Sequence, residues 1–451
     1  MSTTNKMPPG IPYIIGNEAA ERYSYYGMRS ILVIFMTKYL MDRSGALDTM
    51  TPEEAKGWYH LFGTATYFLP LIGALVSDIF WGKYRTIITL SLVYCLGHLT
   101  LALDETRLGL SIGLTLIAIG AGGIKPCVSA HVGDQFDESN KGLLERVFGY
   151  FYFSINFGAF ASIFLTPILL EKYGPSVAFG IPGILMFIAT IFFWAGRNKF
   201  IAVPAAGWKK YRQEVLSKEG LKSVATLAVL YFFIAGFWSL FEQQGSSWVL
   251  QADQMDRLVD LRFGPFQYGW LQFELLASQI SAVNPVLIMI MIPLFSFVIY
   301  PLWNRVWKVT PLRKIGVGLA LAAFSFVIVA LAQEQMDQGH TVSILWQFAA
   351  YVILTAAEVM VSITSLEYSY TQAPNAAKSF IMTFYLLSVS LGNSIAAAVN
   401  FLIQGTDGTS AFSGASYFWF FVVLTFVFTI GFVIFAIKYK EKSFIQPARA
   451  N

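Results

Sequence analysis

Charge is scarce in this chain. Only 13% of its 451 residues are Asp, Glu, Lys or Arg, against about 25% in a soluble domain. That shortage excludes an ordinary soluble globular protein, and no nucleic-acid partner is expected. There are two cysteines, Cys95 and Cys127, both inside apolar stretches. They read as small apolar residues, which excludes a disulfide framework or a thiolate metal site. No nucleophile–base pair, metal-ligand cluster or phosphate-binding loop stands out, so neither an enzyme nor a nucleotide-driven pump is expected, and no cofactor is implied. The N-terminus lacks a basic region followed by a short apolar stretch and a small-residue cleavage site, so the first apolar stretch is expected to be retained.

What the chain has instead is apolar length. Hydrophobic residues make up 56% of it and its mean hydropathy is +0.57. Twelve apolar stretches reach the roughly 20 residues that cross a bilayer as helix: 12–38, 57–80, 84–104, 109–132, 144–170, 175–197, 221–249, 278–303, 313–333, 343–370, 377–403 and 415–437. The expected fold class is an all-α integral membrane protein with multiple passes. Most Lys and Arg fall in the segments on the N-terminal side, and the stretch from Arg197 to Lys222 alone holds seven. By the positive-inside rule both termini are expected in the cytoplasm.

That charged stretch divides the chain into six spans in residues 1–197, a cytoplasmic linker at 198–220, and six spans in 221–451. The halves echo one another faintly. Gly73-Ala-Leu-Val-Ser-Asp78 and Gly82-Lys-Tyr-Arg85 follow span 2; Pro301, Asn304, Arg305 and Lys308 follow span 8. Two six-helix bundles related by an axis along the membrane normal describe the major facilitator fold, with substrate near the midplane between them. The Gly73–Arg85 stretch resembles the cytoplasmic loop motif of that superfamily, where glycine permits close helix approach. Gly73 and Asp78 are therefore expected to serve a gate, not to touch substrate.

Glu18, Glu21, Arg22, Tyr25, Tyr26 and Arg29 share one face of the first span. Each ionised group near a helix centre costs roughly 2.5–3.5 kcal/mol, a cost tolerated where the groups pair or line a water-filled path. A carboxylate beside a guanidinium either stays paired, gluing helices together, or accepts a proton and frees the arginine for another anion. The second behaviour is what a proton-coupled carrier needs. Lys125, within Gly120-Ala-Gly-Gly123-Ile-Lys-Pro126, lies too deep in its span to snorkel easily. Asn156 suits either an interhelical hydrogen bond or a site. Asn284-Pro285 suits a helix bend or a site, and Tyr67 suits packing or a site. His60 reads equally as an outer-facing histidine or as a proton acceptor that titrates near neutral pH.

Glu18-x-x-Glu21-Arg22 with Tyr25-Tyr26-Gly27-Met28-Arg29 resembles the first-helix signature of the proton-dependent oligopeptide transporter family. Phe151-Tyr-Phe-Ser-Ile-Asn156-Phe-Gly158 resembles its fifth-helix signature. Phe237-Trp238 with Glu242-Gln-Gln-Gly-Ser246 resembles its seventh, and Gln279 with Asn284-Pro285 its eighth. Glu358 with Glu367-Tyr-Ser-Tyr-Thr-Gln-Ala-Pro374 resembles its tenth. The resemblance implies proton-coupled symport of di- and tripeptides by alternating access, driven by the proton gradient. It implies Glu18, Glu21 and Arg22 as the coupling motif and Arg22 as a partner of the peptide carboxylate. Tyr25, Tyr26 and Tyr67 line the site, and Asn156 and Asn284 bond the peptide backbone. Glu358 receives the peptide amine; Lys125 pairs with that acid and assists transport; Glu242 serves protonation and gating, and the histidine at position 60 matches a proton site of animal members. Lys125 and Glu358 thus also belong to the gate.

The resemblance has gaps. The link between spans 6 and 7 cannot hold the two extra helices of many bacterial members, and the link between spans 9 and 10 cannot hold the large external domain of animal members. The chain is read as a bacterial carrier of the cell inner membrane that acts as a monomer. Plant relatives carry nitrate or other small anions, but Glu358 and the complete Glu-x-x-Glu-Arg motif favour peptides. A receptor that binds peptides without moving them is the alternative from another class.

Overall fold

A computed structural model describes residues 7–136, 140, 143–201, 203–205, 207–209, 212, 218–260, 262, 268–269, 272–372, 378–404 and 410–439. Among the described residues, twelve principal helices carry the fold: α1 (Ile11–Lys38), α2 (Pro52–Val76), α3 (Lys83–Leu103), α4 (Arg107–Asp134), α5 (Leu144–Tyr173), α6 (Pro175–Ala195), α7 (Lys218–Phe241), α8 (Val283–Leu294), α9 (Pro311–Asp337), α10 (Leu345–Glu358), α11 (Lys378–Ile403) and α12 (Ala415–Lys438). Among the described residues, eleven helical spans are long and apolar enough to cross a membrane. The first helix, α1, completes the twelve by length; its Glu18, Glu21, Arg22, Arg29 and Lys38 lower its apolarity.

Local chemistry sets several helix starts. Thr51, Thr106 and Thr310 each cap a helix, accepting the N–H three residues on at 3.2, 3.3 and 3.4 Å. Pro52, Pro175 and Pro311 occupy first turns, where the missing N–H costs nothing. α5 and α6 are separated by the single residue Gly174, whose φ of 81° reverses the chain.

In the first half α1 packs on α5 and α6, α2 on α4, and α3 on α4 and α6. In the second, α9 packs on α10 and α12, and α7 on α11 and α12. Between halves, α2 lies along α11 and α5 against α8. The crossing of α2 and α4 is close. A Cβ at Gly73 would strike the main chain of Gly123, so the Gly-rich run before Lys125 faces Gly73. The crossing of α1 and α5 is similar: a Cβ at Gly158 would sit 2.7 Å from the Ala19 carbonyl and 3.3 Å from the Arg22 Cβ.

Three spans of the second half are broken. α7 passes through a 3₁₀ turn, Glu242–Gly245, into a short helix, Ser247–Asp253. α8 follows a 3₁₀ segment, Ala277–Ala282, and leads through a π turn, Phe295–Ile299, into Tyr300–Val306. α10 gives way to a π turn, Val359–Ile363, before Thr364–Gln372. Between spans 7 and 8 the sequence reading missed a small antiparallel pair, β1 (Leu258–Asp260) with β2 (Gln272–Glu274). Asp256 ties it to the α9–α10 link through main-chain bonds with Val342 and Ile344. That link is short, as expected.

The end of the molecule where α1 stops and α2 starts is termed the distal end. The halves meet through polar contacts in this part of the molecule. Lys38 Nζ lies 2.5 Å from Asp253. The Lys56 ammonium sits 3.7 Å from the Tyr417 ring centre. The Ser390 hydroxyl donates to the Thr64 carbonyl at 2.9 Å, and Gln279 reaches the Phe164 carbonyl at 2.9 Å. A Cβ on Gly57 would clash with Phe401.

Candidate functional site

Between the halves lies a cavity of about 270 Å³. Tyr26, Tyr67 and Asn156 reach it from the first half; Glu242, Asn284 and Glu358 reach it from the second. The last three each stand at a helix irregularity. Glu242 opens the 3₁₀ turn after α7, Asn284 is in the first turn of α8, and Glu358 ends α10 at its π turn. Irregular backbone at membrane depth is tolerated where it is buried in protein or lines a cavity, and π turns recur at functional sites.

Glu358 accepts a hydrogen bond from Asn284 Nδ2 at 2.7 Å; the same amide lies 3.1 Å from Thr355 Oγ1. The expected pairing of Glu358 with Lys125 does not occur here. Lys125 instead holds its ammonium over two aromatic faces, 3.9 Å from the Tyr25 centroid and 4.7 Å from that of Tyr67. Cation–π attraction substitutes for an ion pair, and Tyr67, which does line the cavity, stands in front of it. Tyr25 is fully buried and supports Lys125; the cavity wall does not include it.

Arg22 is likewise set back from the cavity. Its Nε lies 2.7 Å from Glu18 Oε1, a hydrogen bond, and 3.2 Å from Glu21 Oε2. Both carboxylates are only 1% exposed. The contact with Glu21 lacks hydrogen-bond geometry, and neither of its oxygens has a hydrogen-bond partner among the described residues. One guanidinium thus serves two buried carboxylates and satisfies one of them. Gly158 permits this depth, because a side chain there would press on Arg22.

Arg29, on the same stripe of α1, forms an ion pair with Glu242 that spans the two halves. Its guanidinium also lies 4.7 Å from the Tyr59 ring centre. The sequence placed Arg29 on the polar face but gave it no role. The available signal was its position seven residues after Arg22; its partner, 213 residues away, had none.

His60 is not outer-facing. It is buried in the seam between α2 and α11, with Nδ1 3.0 Å from Asn393 Oδ1 and Nε2 2.9 Å from Ser246 Oγ. With the amide oxygen assigned toward it, Nδ1–H donates and Nε2 accepts from the serine. His60 therefore joins the distal contact between halves and does not line the cavity. Gly73 and Asp78 lie toward the other end. Asp78 sits in the π turn Ser77–Trp81, and its carbonyl accepts from Gly207 N–H at 3.4 Å. An ion pair at that corner joins Lys83 and Asp134 at 2.6 Å; among the described residues the Asp78 carboxylate makes no ion pair. Ala373 and Pro374 of the tenth-helix motif lie outside the described residues, as do residues 202, 206, 210–211 and 213–217 of the 198–220 linker.

A sequence model described as the POT family matches residues 84–211 and 199–420. Peptide transporter 3 of Caenorhabditis elegans is 35% identical over 380 residues, covering 73% of this chain and 51% of that protein. Solute carrier family 15 member 2 of Homo sapiens is 36% identical over 381 residues, covering 73% of this chain and 50% of that protein. The chain spans about half the length of the curated relatives it matches. A solved structure described as an auto inhibited POT family peptide transporter superposes with a TM-score of 0.83 at 35% identity, over 98% of this chain and 99% of that one. Both curated relatives are animal proteins, so the expectation of a bacterial carrier is not borne out by them.

Proposed function

The chain belongs to the POT family, and from that membership we propose that it carries di- and tripeptides together with protons by alternating access. The observation that carries this reading is the cavity between the halves, with a carboxylate at Glu358 on one side and a carboxylate–guanidinium cluster at Glu18, Glu21 and Arg22 behind the other. A dipeptide has an ammonium at one end and a carboxylate at the other. Glu358 suits the ammonium. Arg22, with Lys125 beside it, suits the carboxylate. Asn156, Asn284, Tyr26 and Tyr67 offer hydrogen bonds to the peptide backbone without demanding one side chain, which favours selectivity for length over identity.

Both cations are engaged in this state. Protonation of the Glu18/Glu21 pair releases Arg22, and Lys125 leaves its tyrosine faces as the peptide enters. The peptide ammonium displaces the Asn284 amide from Glu358. The Arg29–Glu242 pair and the His60 seam close the distal end, and protonation of Glu242 loosens it. With the N-terminus cytoplasmic, the distal end is external and the molecule faces inward. The bundles divide at 1–197 and 221–451, joined by the 198–220 linker, and rock about the site as Gly73 and Asp78 steady the cytoplasmic corner.

No cofactor enters this scheme, no chemical step is catalysed, and one chain suffices. One proton falling through 100 mV releases about 2.3 kcal/mol, and one pH unit adds about 1.4 kcal/mol. Together they support accumulation of a neutral peptide by about 500-fold per proton.

Uptake of labelled dialanine into proteoliposomes tests the reading. An inward proton gradient is expected to drive accumulation, and unlabelled dipeptides to compete. Binding without uptake would mark a receptor, and uptake of nitrate in place of peptide would mark an anion carrier.

A further inference from the structure

A second cavity, of about 320 Å³, lies outside the transport site, in the cleft between α2 and α4. Its lining residues Trp58, Leu61 and Ile119 are exposed apolar side chains, so the cleft opens toward lipid. Its wall is apolar along Leu61, Ala65 and Leu69 on one side and Leu114 and Ala118 on the other. From Arg107 to Ile119 it follows α4 for about 18 Å at 1.5 Å per residue, a length suited to an acyl chain. Ser111 and Thr115 do not make it polar, because each hydroxyl donates back to its own helix, at 2.9 and 2.7 Å.

The distal mouth is charged. Arg107 Nε lies 2.8 Å from Asp48 Oδ2, and its Nη1 2.5 Å from Glu54 Oε1. All three side chains are partly exposed, at 40%, 43% and 21%. A guanidinium has five N–H donors, of which these contacts engage two. The remaining donors can hold a phosphate, and each carboxylate retains an oxygen for a hydrogen-bonding cation. One cation and two anions are complementary to a zwitterion whose positive end donates hydrogen bonds. A phosphoglycerol headgroup would add only negative charge, and a choline headgroup has no N–H to donate.

We propose that the α2–α4 cleft is a binding site for an aminophospholipid, with its phosphate on Arg107, its primary ammonium on Asp48 and Glu54, and one acyl chain in the apolar groove. The site ties the short loop before α2 to the start of α4, on the half of the molecule that carries the coupling cluster.

The test is lipid retention, read by native mass spectrometry on the purified full-length chain. The protein is offered dioleoyl-phosphatidylethanolamine, dioleoyl-phosphatidylcholine or dioleoyl-phosphatidylglycerol, which share their chains. Phosphatidylethanolamine is expected to be retained about tenfold better than the others, the worth of one charge-assisted hydrogen bond. Glu54→Gln should reduce that preference, Arg107→Gln should remove it, and Thr115→Trp, which fills the groove from its exposed side, should lower retention of all three lipids. Equal retention of the three lipids by the unaltered protein would overturn the proposal. So would a preference for phosphatidylglycerol, or an Arg107→Gln protein that melts normally and keeps the ethanolamine preference.

Discussion

Arg29 on α1 and Glu242 at the start of the turn after α7 form a buried ion pair across the two halves of the molecule. Breaking a buried pair by removing one partner leaves an uncompensated charge, at a cost of about 3–5 kcal/mol. Arg29→Gln is therefore expected to lower the melting temperature and to expose the distal end to a membrane-impermeant thiol reagent at a cysteine placed at Ser30. The double variant Arg29→Gln/Glu242→Gln should recover much of the stability while leaving the distal end open. If the single and double variants melt alike, the pair is not what holds the halves together.

In the proposed mechanism Glu358 has a narrower role. It shares the second-half wall with Glu242 and accepts a hydrogen bond from Asn284 at 2.7 Å. Glu358→Ala should weaken binding of dipeptides with a free N-terminus by about tenfold or more, as expected for a hydrogen bond to a charged group. N-acetylated analogues should change little. Competition assays on both peptide classes measure this; equal losses would place the peptide amine elsewhere.

Gly73 and Gly149 make a matched pair for stability. A Cβ at Gly73 would meet the Gly123 main chain, whereas one at Gly149 meets nothing within 4 Å among the described residues. Gly73→Ala should destabilise by about 1–3 kcal/mol, because backbone cannot yield as a side chain does. Gly149→Ala should be neutral or stabilising by up to about 1 kcal/mol from helix propensity. Thermal melting of the two variants checks the sign of each.

Much of this could be read from the sequence because a bilayer leaves few choices. Long apolar runs must be helices, and the charges on α1 had to face inward or pair. The stripe from Glu18 to Arg29 therefore announced itself. The breaks at Glu242, Asn284 and Glu358 did not, because 3₁₀ and π turns leave the apolar run unbroken. Pairing across the halves was also hidden: His60 finds Asn393 and Ser246, and Arg29 finds Glu242, through tertiary packing that no local pattern encodes. Lys125 shows the limit of reading charge alone. Its position deep in α4 was evident, but its choice of two tyrosine faces over Glu358 is set by tertiary packing. The strand pair at Leu258–Asp260 and Gln272–Glu274 was missed because three-residue strands carry too little alternation to register.

In the proposed mechanism the Glu18/Glu21/Arg22 cluster couples protons to peptide movement, and Glu21 is its member without a hydrogen-bond partner among the described residues. The most direct measurement is labelled dialanine transport by Glu21→Gln in proteoliposomes, run once with an inward proton gradient and once as counterflow against unlabelled peptide. Gradient-driven accumulation is expected to be lost while counterflow persists. Accumulation at the unaltered level under the gradient would contradict it.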